Sequence, residues 1–277
     1  MCSSDLGSNE AAAHISRALA AKSGPLVPFI AETGGINAMV VDATALPEQV
    51  TDDVLTSAFR SAGQRCSALR LLCVQEDVAD AVLEMIEGAV FELEVGDPRE
   101  LSTHIGPVID AEAKTGLEQW VARMHGQGRV RFRWDRLPLP TAGTYVAPTI
   151  VELDRASDLR EEVFGPVLHV VRWRADELDS LLEDIAASGY GLTLGIHSRI
   201  ELTVARIIAR LAVGNVYVNR NMIGAVVGTQ PFGGSGLSGT GPKAGGPNYL
   251  PRFALEQTVA VNTAAIGGNA SLLAEPE

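Results

Sequence analysis

Positive charge and long apolar runs are both scarce in this sequence of 277 residues. Lysine and arginine number 22 against 34 aspartates and glutamates, which gives a formal net charge of −12. A field of that sign repels phosphate backbones and anionic lipids, so we expect no nucleic-acid partner through this region. No apolar run approaches the ~18 residues that a membrane-spanning helix needs, so a transmembrane role is not expected either.

Cysteine is also sparse, and its count argues against a disulfide framework. The chain has three cysteines, Cys2, Cys66 and Cys73. Neither a C-x-x-C pair nor a cluster of histidine and cysteine at zinc spacing occurs, so no metal site is predicted. The first residues contain no basic segment followed by an apolar one, so no secretory signal is expected. These features together predict a protein of a reducing compartment, the cytoplasm.

The residues that are present predict a folded α/β protein. Hydrophobic residues make up 46% of the chain and charged residues 20%, a composition typical of a packed domain. Apolar stretches with strand character alternate with segments of helical spacing, which predicts a parallel sheet flanked by helices. The intervals 96–116 and 126–143 are punctuated by glycine and proline and are predicted as loops. Strands are predicted at 26–31, 38–41, 69–75, 145–151, 167–173, 193–196 and 215–218, and helices at 11–21, 47–62, 77–93, 176–188 and 200–211.

Cys66 is a candidate nucleophile in the segment Gly63-Gln64-Arg65-Cys66. A cysteine taken alone is more often a small buried hydrophobe, which is our interpretation of Cys73 in the middle of a strand. Cys66, however, lies where a predicted helix ends and a predicted strand begins, so backbone N–H groups can face a ligand there. The adjoining Arg65 favours the thiolate, and Gly63 permits close approach of another group.

Acidic and glycine-rich segments supply the remaining candidates. Glu32 ends an apolar strand, where partial desolvation raises a carboxyl pKa towards that of a useful base; a solvated strand-end glutamate is the alternative. The acidic pair at 161–162, before an aromatic residue and a turn, is on its own typical of a helix end. Residues 234–239 match G-x-G-x-x-G, but no strand precedes them and no helix follows, so they are not a dinucleotide fingerprint.

Four of these segments, in this order, resemble the aldehyde dehydrogenase superfamily over residues 7–253. The interval of 34 residues between Glu32 and Cys66 is the spacing that the family shows. Residues 214–221, 224–228 and 239–247 resemble the L-glutamate γ-semialdehyde (Δ1-pyrroline-5-carboxylate) dehydrogenase branch, most closely the module of bifunctional proline utilization A proteins. The four segments are Glu32-Thr33-Gly34-Gly35, Gly63-Gln64-Arg65-Cys66, Glu162-Val163-Phe164-Gly165-Pro166 and Pro231-Phe232-Gly233-Gly234.

The resemblance implies an NAD-dependent oxidation of L-glutamate γ-semialdehyde to L-glutamate. Cys66 would attack the aldehyde carbon, with the oxyanion accepting a hydrogen bond from its own backbone N–H, and Glu32 would activate the water that hydrolyses the thioester. The implied cofactor-binding residues are Ser8, Glu162 and Phe164, and the implied substrate-binding residues are Ser67, Gly224, Ala225 and Phe232.

The resemblance also implies a division of the chain and an upstream segment. We expect residues 1–33 to be the remnant of a Rossmann-like NAD-binding domain, 34–237 a catalytic domain, and 238–277 a return segment with an arm for homo-oligomerisation. The family reads Phe-Thr-Gly-Ser where this chain has Ser4-Asp5-Leu6-Gly7-Ser8, so the resemblance is expected to stop at Gly7. Residues 1–6 are then expected to be a foreign or erroneous start on a truncated coding region. On this basis we expect impaired activity and no binding of NAD at micromolar concentration.

Two alternatives to this activity stay open at the sequence level. One is an aldehyde dehydrogenase with another substrate, against which the Gly224-Ala225 loop and residues 243–247 argue. The other is a module that keeps the fold for association only, against which the presence of both Cys66 and Glu32 argues.

Overall fold

A computed structural model describes residues 3–262, and within them a seven-stranded sheet forms the centre of the fold. The strands are β1 (Ser3–Leu6), β2 (Phe29–Glu32), β3 (Asn37–Val41), β4 (Leu69–Gln75), β5 (Val130–Arg133), β6 (Thr149–Leu153), β7 (Val167–Trp173), β8 (Tyr190–Gly191), β9 (Thr193–His197), β10 (Asn215–Val218) and β11 (Ser235–Gly236). The helices are α1 (Asn9–Ala21), α2 (Pro47–Ala58), α3 (Glu76–Phe91), α4 (Ala111–Gly126), α5 (Leu178–Ala187) and α6 (Glu201–Arg210).

The central sheet is parallel in all but one of its strand pairs. Its strand order is β10-β9-β3-β4-β7-β6-β5, and only the edge strand β5 runs antiparallel to its neighbour. Its inner strands are mainly apolar on both faces, as expected of a parallel sheet covered by helices, and all five residues of β3 are buried. The predicted α/β class and the parallel connections are therefore confirmed. Two further strand pairs, β1-β2 and β8-β11, lie outside this sheet.

Helix α2 shows how the sequence pattern builds the layers. Pro47 stands in its first turn, where its missing N–H and fixed φ cost nothing. Val50, Val54 and Ala58 recur at intervals of four residues, and all three are buried against the sheet. The helix ends at Ala58 rather than at the predicted residue 62, because the chain then tightens into a short 3₁₀ segment with positive φ angles.

Helix α4 and strand β5 fall where the sequence predicted loops, and the short strands β1, β8 and β11 were not predicted either. Helix α4 falls partly within the interval 96–116, predicted as a loop; it is capped by the Asp110 carboxylate, which accepts a hydrogen bond from the Ala113 N–H at 2.8 Å. Strand β5 falls within the predicted surface loop 126–143, where it pairs with β6 and completes one edge of the sheet. Both predictions of loops at these places are wrong. Single glycines inside a helix or beside a short edge strand misled the assignment.

The amino ends of β3 and β4 place two candidate segments side by side. Residues 32–35 lead into β3 and residues 65–68 lead into β4, and the two strands are parallel neighbours. The Asn37 side-chain amide joins the segments, because it donates to the carbonyl oxygens of Cys66 at 2.6 Å and Ala68 at 2.9 Å. The candidate base and the candidate nucleophile therefore come to the same edge of the sheet.

The predicted division into three segments is compatible with this architecture but stays a prediction. The seven-stranded sheet lies wholly between residues 37 and 218. Residues 263–277 of the predicted arm lie outside the described residues. Among residues 3–262, no helix combines the length and the apolar content that crossing a membrane requires.

Candidate active site

A cavity of about 690 Å³ opens at the amino ends of β3 and β4. Six of the nine predicted site residues line it, contributed by segments far apart in the sequence. These six are Ser8, Glu32, Cys66, Glu162, Phe164 and Phe232, and the cavity is also lined by Gly7, Asn9, Glu10, Thr33, Gly34 and Tyr190.

Cys66 is half-buried in the loop immediately before β4. Burial raises the pKa of its thiol, and the Glu162 and Glu32 carboxylates raise it further; the backbone N–H groups at Ser67 and Cys66 itself oppose the shift. The prediction that Arg65 favours the thiolate is wrong. The Arg65 side chain is exposed and donates from Nε to the Ser61 hydroxyl at 3.1 Å instead. Adjacency along a loop does not place two side chains together.

Glu32 is the last residue of β2 and is only 7% exposed. Neither of its carboxylate oxygens has a hydrogen-bond partner among the described residues. Burial raises the pKa of this carboxyl to about 7, while the nearby Gly234 amide and the Lys243 ammonium oppose the shift. A carboxyl with this pKa is half-ionised near neutrality, which suits a general base. The predicted direction of this shift is confirmed.

The glycine-rich segment packs directly on the Glu32 carboxylate. A Cβ added at Gly233 would lie 2.7 Å from Glu32 Oε1, and one added at Gly239 would lie 3.3 Å from Oε2 and 2.8 Å from the Ala31 carbonyl oxygen. Gly239 also has a φ of +152°, which side chains rarely adopt. These two glycines therefore allow the chain to enclose the carboxylate closely.

Glu162 and Phe164 lie in the loop between β6 and β7, and a buried arginine contacts both. Arg70 Nη2 lies 3.4 Å from Glu162 Oε1, and the Arg70 guanidinium carbon lies 5.0 Å from the centre of the Phe164 ring. Burial raises the pKa of Glu162, whereas Arg70 and the Gly35 N–H lower it. Arg70 was not singled out from the sequence. The apolar pattern of the strand that contains Arg70 gives no indication that this arginine belongs to a site.

The first turn of α1 forms another wall of the cavity. Gly7, Ser8 and Asn9 all line it, and the Ser8 hydroxyl caps the helix by accepting from the Ala11 N–H at 3.1 Å. A helix amino terminus presents unpaired N–H groups that favour anions such as phosphate. The Asn9 side chain also donates to the Tyr190 hydroxyl at 3.0 Å. Sequence reasoning missed Asn9 and Tyr190.

The predicted substrate-binding residues are only partly brought together. Phe232 lines the cavity, and Ser67 is buried directly after Cys66. Gly224 and Ala225 are exposed, and they are not among the residues that line the cavity. The Gly224 carbonyl oxygen accepts from the Tyr217 hydroxyl at 2.8 Å.

Helix α2 holds the loop that carries Gly224. Gln49 Nε2 donates to the Asn219 carbonyl oxygen at 2.7 Å, and the Met222 N–H donates to the Ser57 hydroxyl at 3.0 Å. Gln49 and Ser57 are two helical turns apart on one face of α2. This helix thereby fixes the first half of the loop.

Comparison with known proteins decides the family. The sequence pattern described as the aldehyde dehydrogenase family matches residues 4–259. The chain belongs to this family. The match starts at residue 4, and β1 pairs in register with β2. The prediction that the resemblance stops at Gly7 is therefore wrong, as is the interpretation of residues 4–6 as foreign to the family.

Several relatives within the aldehyde dehydrogenase family are close in sequence and structure. The Bifunctional protein PutA of Klebsiella aerogenes is 58% identical over 255 residues, which is 89% of this chain and 19% of that relative. A crystal structure of a bifunctional proline utilization A protein superposes with a TM-score of 0.91 at 65% identity, covering 96% of this chain and 27% of that one. The chain thus spans about a fifth of the length of the curated PutA relatives it matches.

A more distant structure is that of a 1-pyrroline-5-carboxylate dehydrogenase from Thermus, solved with bound NAD. It superposes with a TM-score of 0.83 at 33% identity, covering 91% of this chain and 48% of that one.

Within the described residues, no group of three or more histidine, cysteine or acidic side chains has the geometry of a metal site.

Proposed function

We propose that this chain carries the reaction centre of an NAD-dependent aldehyde dehydrogenase that oxidises L-glutamate γ-semialdehyde to L-glutamate. The observation that carries the proposal is one cavity holding both a half-buried thiol, Cys66, and a buried carboxyl with a pKa of about 7, Glu32. Membership of the aldehyde dehydrogenase family supports the reaction class. The names of the PutA and 1-pyrroline-5-carboxylate dehydrogenase relatives support the substrate.

Cys66 acts as the nucleophile in this proposal. Its thiolate adds to the aldehyde carbon and forms a thiohemiacetal, whose oxyanion accepts a hydrogen bond from the Cys66 backbone N–H. Loss of hydride from the same carbon leaves a thioester on the sulfur. The Asn37 contacts to the carbonyl oxygens on both sides of Ser67 hold this loop in one conformation.

Glu32 acts as the base that completes the reaction. Its ionised carboxylate takes a proton from water, the resulting hydroxide attacks the thioester carbon, and the Cys66 thiolate leaves. The raised pKa makes the carboxylate a stronger base than an exposed glutamate. The step therefore requires the ionised form and speeds up as the pH rises through about 7.

The residues around the cavity fit the nicotinamide half of NAD. NAD supplies the hydride acceptor when bound. The α1 amino terminus with Ser8 suits a phosphate, the Glu162 carboxylate suits ribose hydroxyls, and the Phe164 ring suits the nicotinamide. Gly34 supports this fit, because a Cβ at that position would lie 1.8 Å from Glu162 Oε2 and would push the carboxylate aside.

The substrate's α-amine and α-carboxylate form a zwitterion, so hydrogen-bond donors and acceptors can bind them without a positively charged side chain. We assign this role to the Ser67 hydroxyl and to the backbone at Gly224 and Ala225, with Phe232 packing on the methylene groups. The loop that carries Gly224 must approach the cavity for this purpose. We further expect a homo-oligomeric, cytoplasmic enzyme.

The test uses a protein in which residues 4–259 of this chain replace the matching segment of the Klebsiella aerogenes relative. NADH formation from L-glutamate γ-semialdehyde is then measured for three versions. The unmodified segment is expected to turn over steadily, Cys66→Ala to be inactive, and Glu32→Gln to release about one equivalent of NADH and then stall. A steady rate that Cys66→Ala leaves unchanged would exclude the proposal.

The substrate is tested by a second arm of the same assay. A simple aliphatic aldehyde of similar length lacks the amine and the carboxylate, so its kcat/KM is expected to be at least about tenfold lower. Equal kcat/KM values for the two aldehydes would keep the mechanism but exclude recognition of the α-amine and α-carboxylate, and with it the proposed substrate.

A further inference from the structure

Arg70, the second residue of β4, is fully buried, and its guanidinium contacts two separate segments of the site. Nη1 donates to the Gly165 carbonyl oxygen at 3.3 Å. Nη2 donates to the Arg65 carbonyl oxygen at 3.1 Å and lies 3.4 Å from Glu162 Oε1. The same group lies over the Phe164 ring. One side chain thus joins the strand, the loop before Cys66, and the loop that carries Glu162.

The two loops that Arg70 joins are packed closely enough to depend on one another. A Cβ added at Gly63 would lie 2.1 Å from the Gly165 carbonyl oxygen, so the backbones are in direct contact. The carbonyl that Arg70 holds on one loop belongs to the residue immediately before Cys66. A shift of the guanidinium would therefore move the nucleophile and Glu162 together.

The backbone of Arg70 is itself held in place by a hydrogen bond from a neutral histidine. His169 Nδ1 lies 3.0 Å from the Arg70 carbonyl oxygen, and His169 Nε2 accepts from the Trp120 indole N–H at 3.1 Å. Nδ1 is therefore the donor. Burial lowers the pKa of His169 to about 4, so no second positive charge arises beside Arg70 near neutrality.

The charged groups that face Cys66 come from separate segments of the chain. The Glu162 and Glu32 carboxylates both disfavour the thiolate, whereas the phenol of Tyr217 in β10, whose pKa burial raises, is uncharged near neutrality. Arg70 is a buried cation whose charge interacts with Cys66 as well as with Glu162. Its charge offsets that of Glu162, which would otherwise stand uncompensated beside the sulfur.

We propose that Arg70 is a positioning residue that holds the Cys66 loop against the Glu162 loop and balances the Glu162 charge next to the nucleophile. The inference rests on the proposed function, because it assigns Cys66 the role of nucleophile. The proposal names Arg70 as the residue on which formation of the Cys66 thiolate depends. Arg65, the arginine next to Cys66 in sequence, donates to the Ser61 hydroxyl instead.

The experiment measures the rate at which iodoacetamide alkylates Cys66 in the 277-residue chain as a function of pH, with peptide mass spectrometry separating Cys66 from the other cysteines. Four variants are compared with the unmodified chain: Arg70→Met, Glu162→Gln, the double variant, and Arg65→Met. Arg65→Met is the matched control, because it removes an exposed arginine next to the nucleophile. The midpoint of each profile reports the thiol pKa.

The charge balance predicts opposite shifts for the two single variants. Arg70→Met leaves Glu162 uncompensated and is expected to move the midpoint up by about one pH unit or more. Glu162→Gln leaves Arg70 uncompensated and is expected to move it down. The double variant is expected to return close to the unmodified chain, and Arg65→Met not to move it. Superimposable profiles for the unmodified chain and Glu162→Gln would overturn the proposal, even if Arg70→Met fails to fold.

Alkylation needs neither aldehyde nor NAD, so this result is separate from the test of the proposed function. If the opposite shifts occur but no aldehyde is oxidised, the charge balance stands and the function fails. If Cys66-dependent oxidation occurs without the shifts, only the role of Arg70 fails.

Discussion

At the scale of single residues, the site depends on ionisable groups that are buried without enough hydrogen bonds or opposite charges to stabilise their ionised forms. Glu32 has no hydrogen-bond partner among the described residues, and the Cys66 thiol is harder to ionise than an exposed one. Stability alone would disfavour such an arrangement, because each buried charge costs free energy. A reaction that needs a base near neutral pH and a nucleophile in a dry cavity accounts for it.

Replacing Glu32 with glutamine is expected to stabilise the chain at about pH 8. Because the folded-state pKa is about 7, above the ordinary value of 4.5, the stability that this group contributes is complete below pH 4.5 and is lost as the pH rises to about 7. Glutamine avoids that loss, and the gain at about pH 8 is on the order of 2 kcal/mol after allowance for solvent screening. Urea unfolding of both proteins measures it. Equal free energies of unfolding at about pH 8 would contradict the burial argument.

Sequence reasoning predicted the two reactive groups but not the residue that organises them. Glu32 and Cys66 stand at the ends of predicted elements, where local patterns are informative. Arg70 stands inside a strand of otherwise apolar character, and the partners of its guanidinium lie up to 95 residues away along the chain. Arg65 was misassigned for the related reason that its side chain turns towards Ser61.

At the scale of elements, the strands and helices with strong apolar periodicity were predicted nearly to the residue. Strands β4, β7 and β10 have the predicted bounds. Helix α4 was not predicted because its apolar stripe is weak. Its buried residues are only Leu117, Val121 and Met124. The 3₁₀ segment after α2 depends on backbone angles that no apolar pattern encodes.

Gly63→Ala is expected to destabilise the chain, whereas Gly116→Ala in α4 is not. Gly63 has a φ of +67° and leaves no room for a Cβ beside the Gly165 carbonyl, so a loss of about 2–3 kcal/mol is expected. Gly116 has no atom within 4 Å of an added Cβ, so alanine there is expected to stabilise the helix by up to about 1 kcal/mol. Urea unfolding of the two variants side by side gives the comparison. Equal stabilities would show that the two loops are not in close contact.

At the scale of the whole molecule, the sequence predicted a parallel α/β sheet but not the order of its strands. The order places β3 and β4 side by side although 27 residues separate them, and it is this pairing that brings Glu32 and Cys66 to one edge. Strand order follows from packing over the whole sheet and not from any local segment. The family resemblance supplied what local patterns did not.

The fold as a whole is expected to lose stability as the pH falls from about 6.5 to about 4. His169 and His197 are buried, and burial lowers the pKa of each to about 4, so the unfolded chain binds protons that the folded chain excludes. Protonation of the Glu32, Glu162 and Asp53 carboxyls, whose pKa values burial raises in the folded chain, acts in the opposite direction and offsets part of this loss. The expected net result is a lower free energy of unfolding at about pH 4 than at about pH 6.5. Urea unfolding across this range checks it, and the Glu32→Gln variant should decline more steeply.

A stability that stays level across this range, with the same slope in the Glu32→Gln variant, would mean that these histidines titrate as exposed groups do. That result would also contradict the statement that His169 is neutral beside Arg70 near neutral pH.

The central claim, that Cys66 carries an acyl group which Glu32 helps to hydrolyse, can be measured without a cofactor. p-Nitrophenyl acetate transfers its acetyl group to a reactive thiolate and so leaves a thioester of the same kind as the one formed by aldehyde oxidation. Mass spectrometry of the Glu32→Gln chain after brief exposure to the ester is predicted to find one acetyl group on Cys66. The unmodified chain is predicted to hydrolyse the acetyl group and Cys66→Ala to lack it. An unacetylated Cys66 in Glu32→Gln, with ester hydrolysis equal to that of the unmodified chain, would contradict the account.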